Sequence, residues 1–166
     1  MLKQLIPQEL NSKLDEIVTK CFEGNRISDR GMSVLGVKFA MNNTENLLHE
    51  HLAHYFPVLA DKVSSYQGSR NCLTVYGLTP EDSSDYETPL AFFEKLLEYM
   101  MDLESSIGDA IELAKDDDHA TFSFLVGFLN DIVKVTNQCL LLVDKAEAYG
   151  EDIMAFDRGI ELFVIL

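Results

Sequence analysis

Apolar residues recur at helical spacing along almost the whole chain, and no other feature restricts its folding as strongly. Between Pro7 and about Ala40, the residues Leu10, Leu14, Ile17, Val18, Cys21, Met32, Leu35 and Phe39 share one stripe at ~3.6 residues per turn. The stripe passes Gly24, Gly31 and Gly36, each costing about 1 kcal/mol relative to alanine inside a helix. One long helix is therefore expected, with a kink or break near Gly24 as the alternative. Leu48, Leu52, Tyr55, Leu59, Val63 and Tyr66 repeat the pattern over about 43–67, with Pro57 on the outer face as a candidate kink. Phe92, Phe93, Leu96, Met100, Leu103, Ile107, Ala110 and Ile111 repeat it over about 86–115. Phe122, Leu125, Leu129, Ile132, Thr136, Cys139, Val143 and Ala146 do so over 119–149. A tail, 151–166, ends in LFVIL and is expected as a short fifth helix or an assembly contact. Strand-like alternation of any length is missing, and so is an internal repeat.

The connections set the topology. Met41 and Asn42 leave room only for an antiparallel neighbour, and Asn43 or Thr44 is placed to cap the second helix, which Gly68 ends. Asp116, Asp117 and Asp118 make the turn before the fourth helix and supply its cap; a calcium loop would need a glycine and a distal glutamate that are not there. Between the second and third helices, SRNCLTVYGLTPEDSSD has no helical period and is rich in turn formers. A connection that long has a reason if it carries the chain back along the full length of a bundle. The expected fold class is thus all-α: an up-down four-helix bundle with one long crossover connection between helices 2 and 3.

Composition limits the function classes. A net charge of −15 without a lysine or arginine cluster opposes binding to nucleic acid or an anionic membrane and favours metal ions and other cations. The N-terminal MLKQLIPQEL is too short in apolar residues for a signal peptide, and no uninterrupted apolar run approaches ~18 residues. Cys21, Cys72 and Cys139 are odd in number and lack C-x-x-C spacing, as suits packing in a reducing compartment, so a cytoplasmic location is expected. Glycine-rich phosphate loops and Gly-x-Ser-x-Gly elbows do not occur. Met100 and Met101 beside Tyr99 suit a core better than a cofactor contact.

Three of the four histidines fall within six residues, as His49, His51 and His54 on the second helix. By phase His49 faces outward, while His51 and His54, spaced i and i+3, share a flank of the apolar stripe. On the first helix, Asn25, Ser28 and Asp29 stand where the stripe expects apolar residues. For two antiparallel helices hinged near residue 42, Asp29 falls level with Tyr55, next to His54. Asp29, His51 and His54 then form a two-histidine, one-carboxylate set suited to Fe(II) or another divalent transition ion, the plainer reading being a polar patch in which Asp29 accepts from a histidine.

The segments LLEYMMDLESSIGDAIELA, DDDHATFSFL and FLNDIV, with QGSRN at the end of the second helix, resemble the closing half of ferritins and bacterioferritins. The resemblance to the ferritin-like superfamily covers roughly Pro7 to Gly150 and implies one ferritin-like domain over 1–166. It implies iron as the metal and a ferroxidase-type oxidation or storage of Fe(II). In that family carboxylates and Glu-x-x-His sets from four helices hold two irons. Here His51-Leu-Ala-His54 has the spacing with His in place of Glu; Glu50 turns inward only through a phase shift or a π-bulge. Glu104 sits in a family-like Leu-Glu-x-x-Ile setting but deeper, and Asp131 with Lys134 takes the place of a fourth-helix Glu-x-x-His. The metal set implied is Asp29, His51, His54, Glu50 and Glu104, in a homo-oligomer, a dimer or a larger shell. A mini-ferritin would need a first-helix histidine, which this chain lacks. The competing expectation is a ferritin-like bundle with a degenerate metal site and a structural or interaction role.

Overall fold

A computed structural model describes residues 3–164, so that Ile165 and Leu166 of the LFVIL tail lie outside the described residues. Helix α1 spans Gln8–Phe39 without a break. Helix α2 covers 42–69 in three parts, Asn42–Leu48, a π turn at His49–Ala53, and Tyr55–Ser69. After a non-helical crossover come α3 at Pro89–Ala114, α4 at His119–Tyr149 and a short α5 at Ile153–Phe163. The chain is all-helical among the described residues, as the periodicity predicts.

Contacts along the helices give their directions. Lys20 of α1 pairs with Asp102 of α3, and Gly31 lies under Phe92, so these helices run antiparallel. Lys62 and Tyr66 of α2 meet Asp131 and Thr121 of α4, again antiparallel. The two hairpins α1–α2 and α3–α4 are therefore joined by a crossover that makes α2 and α3 parallel.

The crossover is fastened along the outer face of α1 by a ladder of polar side chains. Asn11 donates to the Leu73 carbonyl at 3.2 Å, Asp15 accepts from the Val75 amide at 2.9 Å and Thr19 from the Gly77 amide at 3.0 Å. Further on, Arg26 donates to the Thr79 and Pro80 carbonyls, Arg30 to those of Ser83 and Ser84, and Lys38 to Asp85 and the Tyr86 carbonyl. The spans agree: α1 rises about 40 Å from Asn11 to Lys38 and an extended chain from Leu73 to Tyr86 covers about the same length.

The glycines of α1 are sites of close approach. A Cβ at Gly24 would stand 2.5 Å from the Phe56 ring and 2.9 Å from that of Tyr99, and one at Gly31 would overlap Phe92. Tight helix packing explains why α1 carries residues that helix propensity disfavours.

Two expected ends need correction. α3 begins at Pro89 and not at Tyr86, with the Thr88 hydroxyl accepting from the Ala91 amide and proline in the first turn. At the start of α2 neither Asn43 nor Thr44 acts as the cap. The buried carboxylate of Asp157, on α5, accepts from the Thr44 amide at 2.7 Å, the Thr44 hydroxyl at 2.8 Å and the Asn43 amide at 3.4 Å. The fifth helix thereby caps the second.

Candidate metal centre

The polar interruption of α1 meets the histidines, through a backbone irregularity. Pro57 has no N–H to offer the carbonyl four residues back, so Ala53 loses its helical partner. Asn25 replaces it, its Nδ2 donating to the Ala53 oxygen at 3.0 Å. Upstream the helix widens by one residue, with the His54 amide reaching the His49 oxygen at 3.3 Å, a bond over five residues. Pro57 then lies in the first turn of Tyr55–Ser69, where a missing donor is harmless.

The extra residue rotates the histidines from their expected positions. Asp29 accepts from His49 Nδ1 at 3.0 Å, and its other oxygen accepts from Asn25 at 3.3 Å. His49 therefore does not point away from α1; the π turn brings it, and not His51, to Asp29. The His49 and His54 rings pack edge to face with centroids 4.5 Å apart. Glu50 turns outward, and its carboxylate lies 3.8 Å from His54 Nδ1. His51 is exposed, and Glu104 is half-buried on α3. No hydrogen bond or ion pair among the described residues joins either one to Asp29. Asp131 pairs with Lys62 at 3.1 Å and Lys134 at 3.4 Å on the outside of the bundle, and the Lys62 hydrogen bond holds its carboxyl below the usual carboxylate range. Among the described residues no three His, Cys, Asp or Glu side chains converge as a metal-binding group.

The middle of the bundle is built of hydrocarbon. Phe56 wedges between Gly24 and Tyr99, its ring 6.4 Å from that of Tyr99, and Leu52, Leu59, Leu96, Met100, Leu103, Ile132 and Val135 are buried with it. Helix α4 is long and apolar enough to cross a membrane by length and composition alone; Leu125, Phe128, Ile132, Val135 and Leu142 are buried in this interior, whereas Val126, Val133 and Leu140 are exposed. A separate apolar cavity of about 540 Å³, lined by Phe39, Met41, Phe93, Tyr149 and Phe156, lies at the end closed by α5.

The sequence profile of the ferritin-like domain matches residues 44–148, more than half of the chain. The chain belongs to the ferritin-like family. Among solved structures, the open-pore ferritin of the hyperthermophilic archaeon Archaeoglobus fulgidus matches at a TM-score of 0.88 and 20% identity, over 96% of this chain and 99% of that one. An engineered closed form of the same ferritin matches at 0.87 and 20%, over 95% and 97%. A humanized archaeal ferritin matches at 0.87 and 20%, over 95% and 96%. No curated protein sequence matches. At such identity the structural likeness speaks for the fold.

Against the ligand pattern of ferritin-like di-iron proteins, which takes inward carboxylates and Glu-x-x-His sets, the interior of this ferritin-like chain does not fit. Among the described residues, the buried side chains of this interior that carry a donor atom include Cys21, Cys139, Tyr99 and Ser28, whose neutral hydroxyl has no hydrogen-bond partner there. Burial pushes the Cys21 thiol up to about 12, and burial pushes the Tyr99 phenol well above its ordinary range. Tyr99 donates its proton to the Lys20 carbonyl. None of these is a carboxylate, a thiolate or an imidazole, the ligands that hold iron in such a site.

Proposed function

We propose that this protein is a ferritin-like scaffold subunit that assembles with copies of itself and does not oxidise iron inside its helical bundle. The observation that carries this reading is the Phe56 ring seated between Gly24 and Tyr99, where inward carboxylates would have to stand. Self-association is supported by Leu73, Val75, Tyr76 and Leu78, exposed in a row along the crossover. Three buried, unpaired thiols suit a reducing compartment, and we place the protein in the cytoplasm on that ground.

The reading in which Asp29, His51, His54, Glu50 and Glu104 hold ferrous iron in the bundle core has less support, since these side chains face different neighbours. The test is direct. Purified protein is charged with Fe(II) without oxygen and then exposed to air while ferric absorbance is followed. A rate equal to that of protein-free buffer is expected. Oxidation that exceeds the buffer rate and persists in a His49→Ala/His54→Ala variant would place an oxidising centre elsewhere in the chain and overturn the proposal.

A further inference from the structure

Two imidazoles, one in the π turn and one just after it, each turn Nδ1 toward a carboxylate. His49 Nδ1 donates to Asp29 at 3.0 Å, and His54 Nδ1 faces the Glu50 carboxylate at 3.8 Å. An ionised carboxylate only accepts, so His49 carries its proton on Nδ1, and the Glu50 charge favours the same tautomer in His54. In both rings the nitrogen with the free lone pair is then Nε2, and no described hydrogen bond uses it. Carboxylates that fix the Nδ1 proton while Nε2 ligates are the usual outer partners of metal-binding histidines.

We propose that His49 and His54 bind one divalent transition-metal ion on the outside of the bundle through their Nε2 atoms. Asp29 holds the His49 ring, the Glu50 charge lies beside that of His54, and water completes the coordination. Two nitrogens ligating one ion at about 2.0–2.1 Å stand no more than about 4 Å apart. Ring centroids 4.5 Å apart put both imidazoles within the span of one ion, and both side chains are half exposed, so an ion has access to them. The position is supported on its far side: Asn25 holds both the second oxygen of Asp29 and the Ala53 carbonyl, so the carboxylate and the π turn are fixed to each other. Borderline ions such as Zn(II) and Ni(II) are the class that imidazole nitrogens prefer. A chain of net charge −15 also raises their local concentration. The inference does not depend on the scaffold reading, because the site lies outside the bundle interior.

The experiment is calorimetric titration of the whole protein with Zn(II) alone, beside 15N–1H spectra of the histidine rings. One ion per chain is expected, with the Nε2 resonances of His49 and His54 shifting and their Nδ1–H signals retained. His49→Ala and His54→Ala should each weaken binding at least tenfold, and Asp29→Asn about tenfold, the low end for a supporting partner. His51→Ala should leave it unchanged. All four positions are exposed, and circular dichroism checks that each variant folds. Binding that survives loss of both His49 and His54 overturns the assignment, as does an equal loss in His51→Ala or the absence of any Zn(II) binding.

Discussion

At the scale of single residues, what the chain excludes matters as much as what it contains. Gly31 lies under the Phe92 ring, which is fully buried and hemmed in by Tyr86 and Phe93. The ring has nowhere to move, so Gly31→Ala should cost about 1–3 kcal/mol despite the better helix propensity of alanine. Gly108 on α3 is the control: a Cβ there meets nothing within 4 Å, and Gly108→Ala should stabilise by about 0.5–1 kcal/mol. Thermal melts would show the two substitutions moving Tm in opposite directions. A second prediction concerns Asp131, whose folded-state carboxyl lies below its ordinary value of 3.8 because Lys62 donates to it. Its contribution is present above the unfolded value and is lost as pH falls through the folded one. Asp131→Asn should therefore lose up to about 1 kcal/mol at pH 7, and the gap to the unsubstituted protein should close below about pH 4 in chemical denaturation.

At the scale of elements, the second helix is stabilised at both ends of its first half by groups from other helices. Asp157 satisfies the amides of Asn43 and Thr44 and the Thr44 hydroxyl, all of which would be left without partners in Asp157→Ala. A loss of about 2–3 kcal/mol is expected, larger than for an exposed cap, with hydrogen exchange accelerated at the start of α2 as well as in α5. Such tertiary capping was not legible in the sequence, because nothing in the spacing of Asp157 connects it to residue 44. The α4 bounds were legible, since Asp118 caps one end and Gly150, at φ +57°, closes the other. The α3 start is legible too, because the Thr88–Pro89 pair is a stronger start signal than the aromatic Tyr86 at which the apolar pattern begins. The π turn marks a deeper limit. A regular helical phase through 43–67 sets His51 and His54 toward α1, and the one residue added at the π turn carries His49 to Asp29 in their place. The polar residues Asn25 and Asp29, four apart and, with Ser28, the interruption of the apolar stripe, are the trace of this arrangement. It gave the meeting of the two helices and not its register.

At the scale of the whole molecule, the crossover closes the bundle and at the same time exposes a row of apolar side chains. Its backbone is held to α1 by side chains of Asn11, Asp15, Thr19, Arg26, Arg30 and Lys38, which fixes an extended segment in place before any partner arrives. Leu78 is 98% exposed and Leu73 83%, with Val75 and Tyr76 between them, whereas Cys72 and Tyr86 turn into the core. A rigid segment with exposed apolar side chains and partly unpaired backbone is a surface that a second extended segment can cover at little ordering cost. Two copies meeting through it would use a two-fold axis, each chain presenting the same residues. Val75→Glu/Leu78→Glu places two like charges at the centre of that contact and adds them to a chain that already carries −15. Neither side chain is buried in the single chain, so its folding should be unaffected, and circular dichroism should show the same helix content. Light scattering should then find the unsubstituted protein at a multiple of 18.7 kDa and the variant at or near that mass. High salt should partly restore the larger species, since screening weakens repulsion between exposed charges. An unchanged mass in the double variant would move the contact away from the crossover, and a monomeric starting protein would remove self-association from the proposed function.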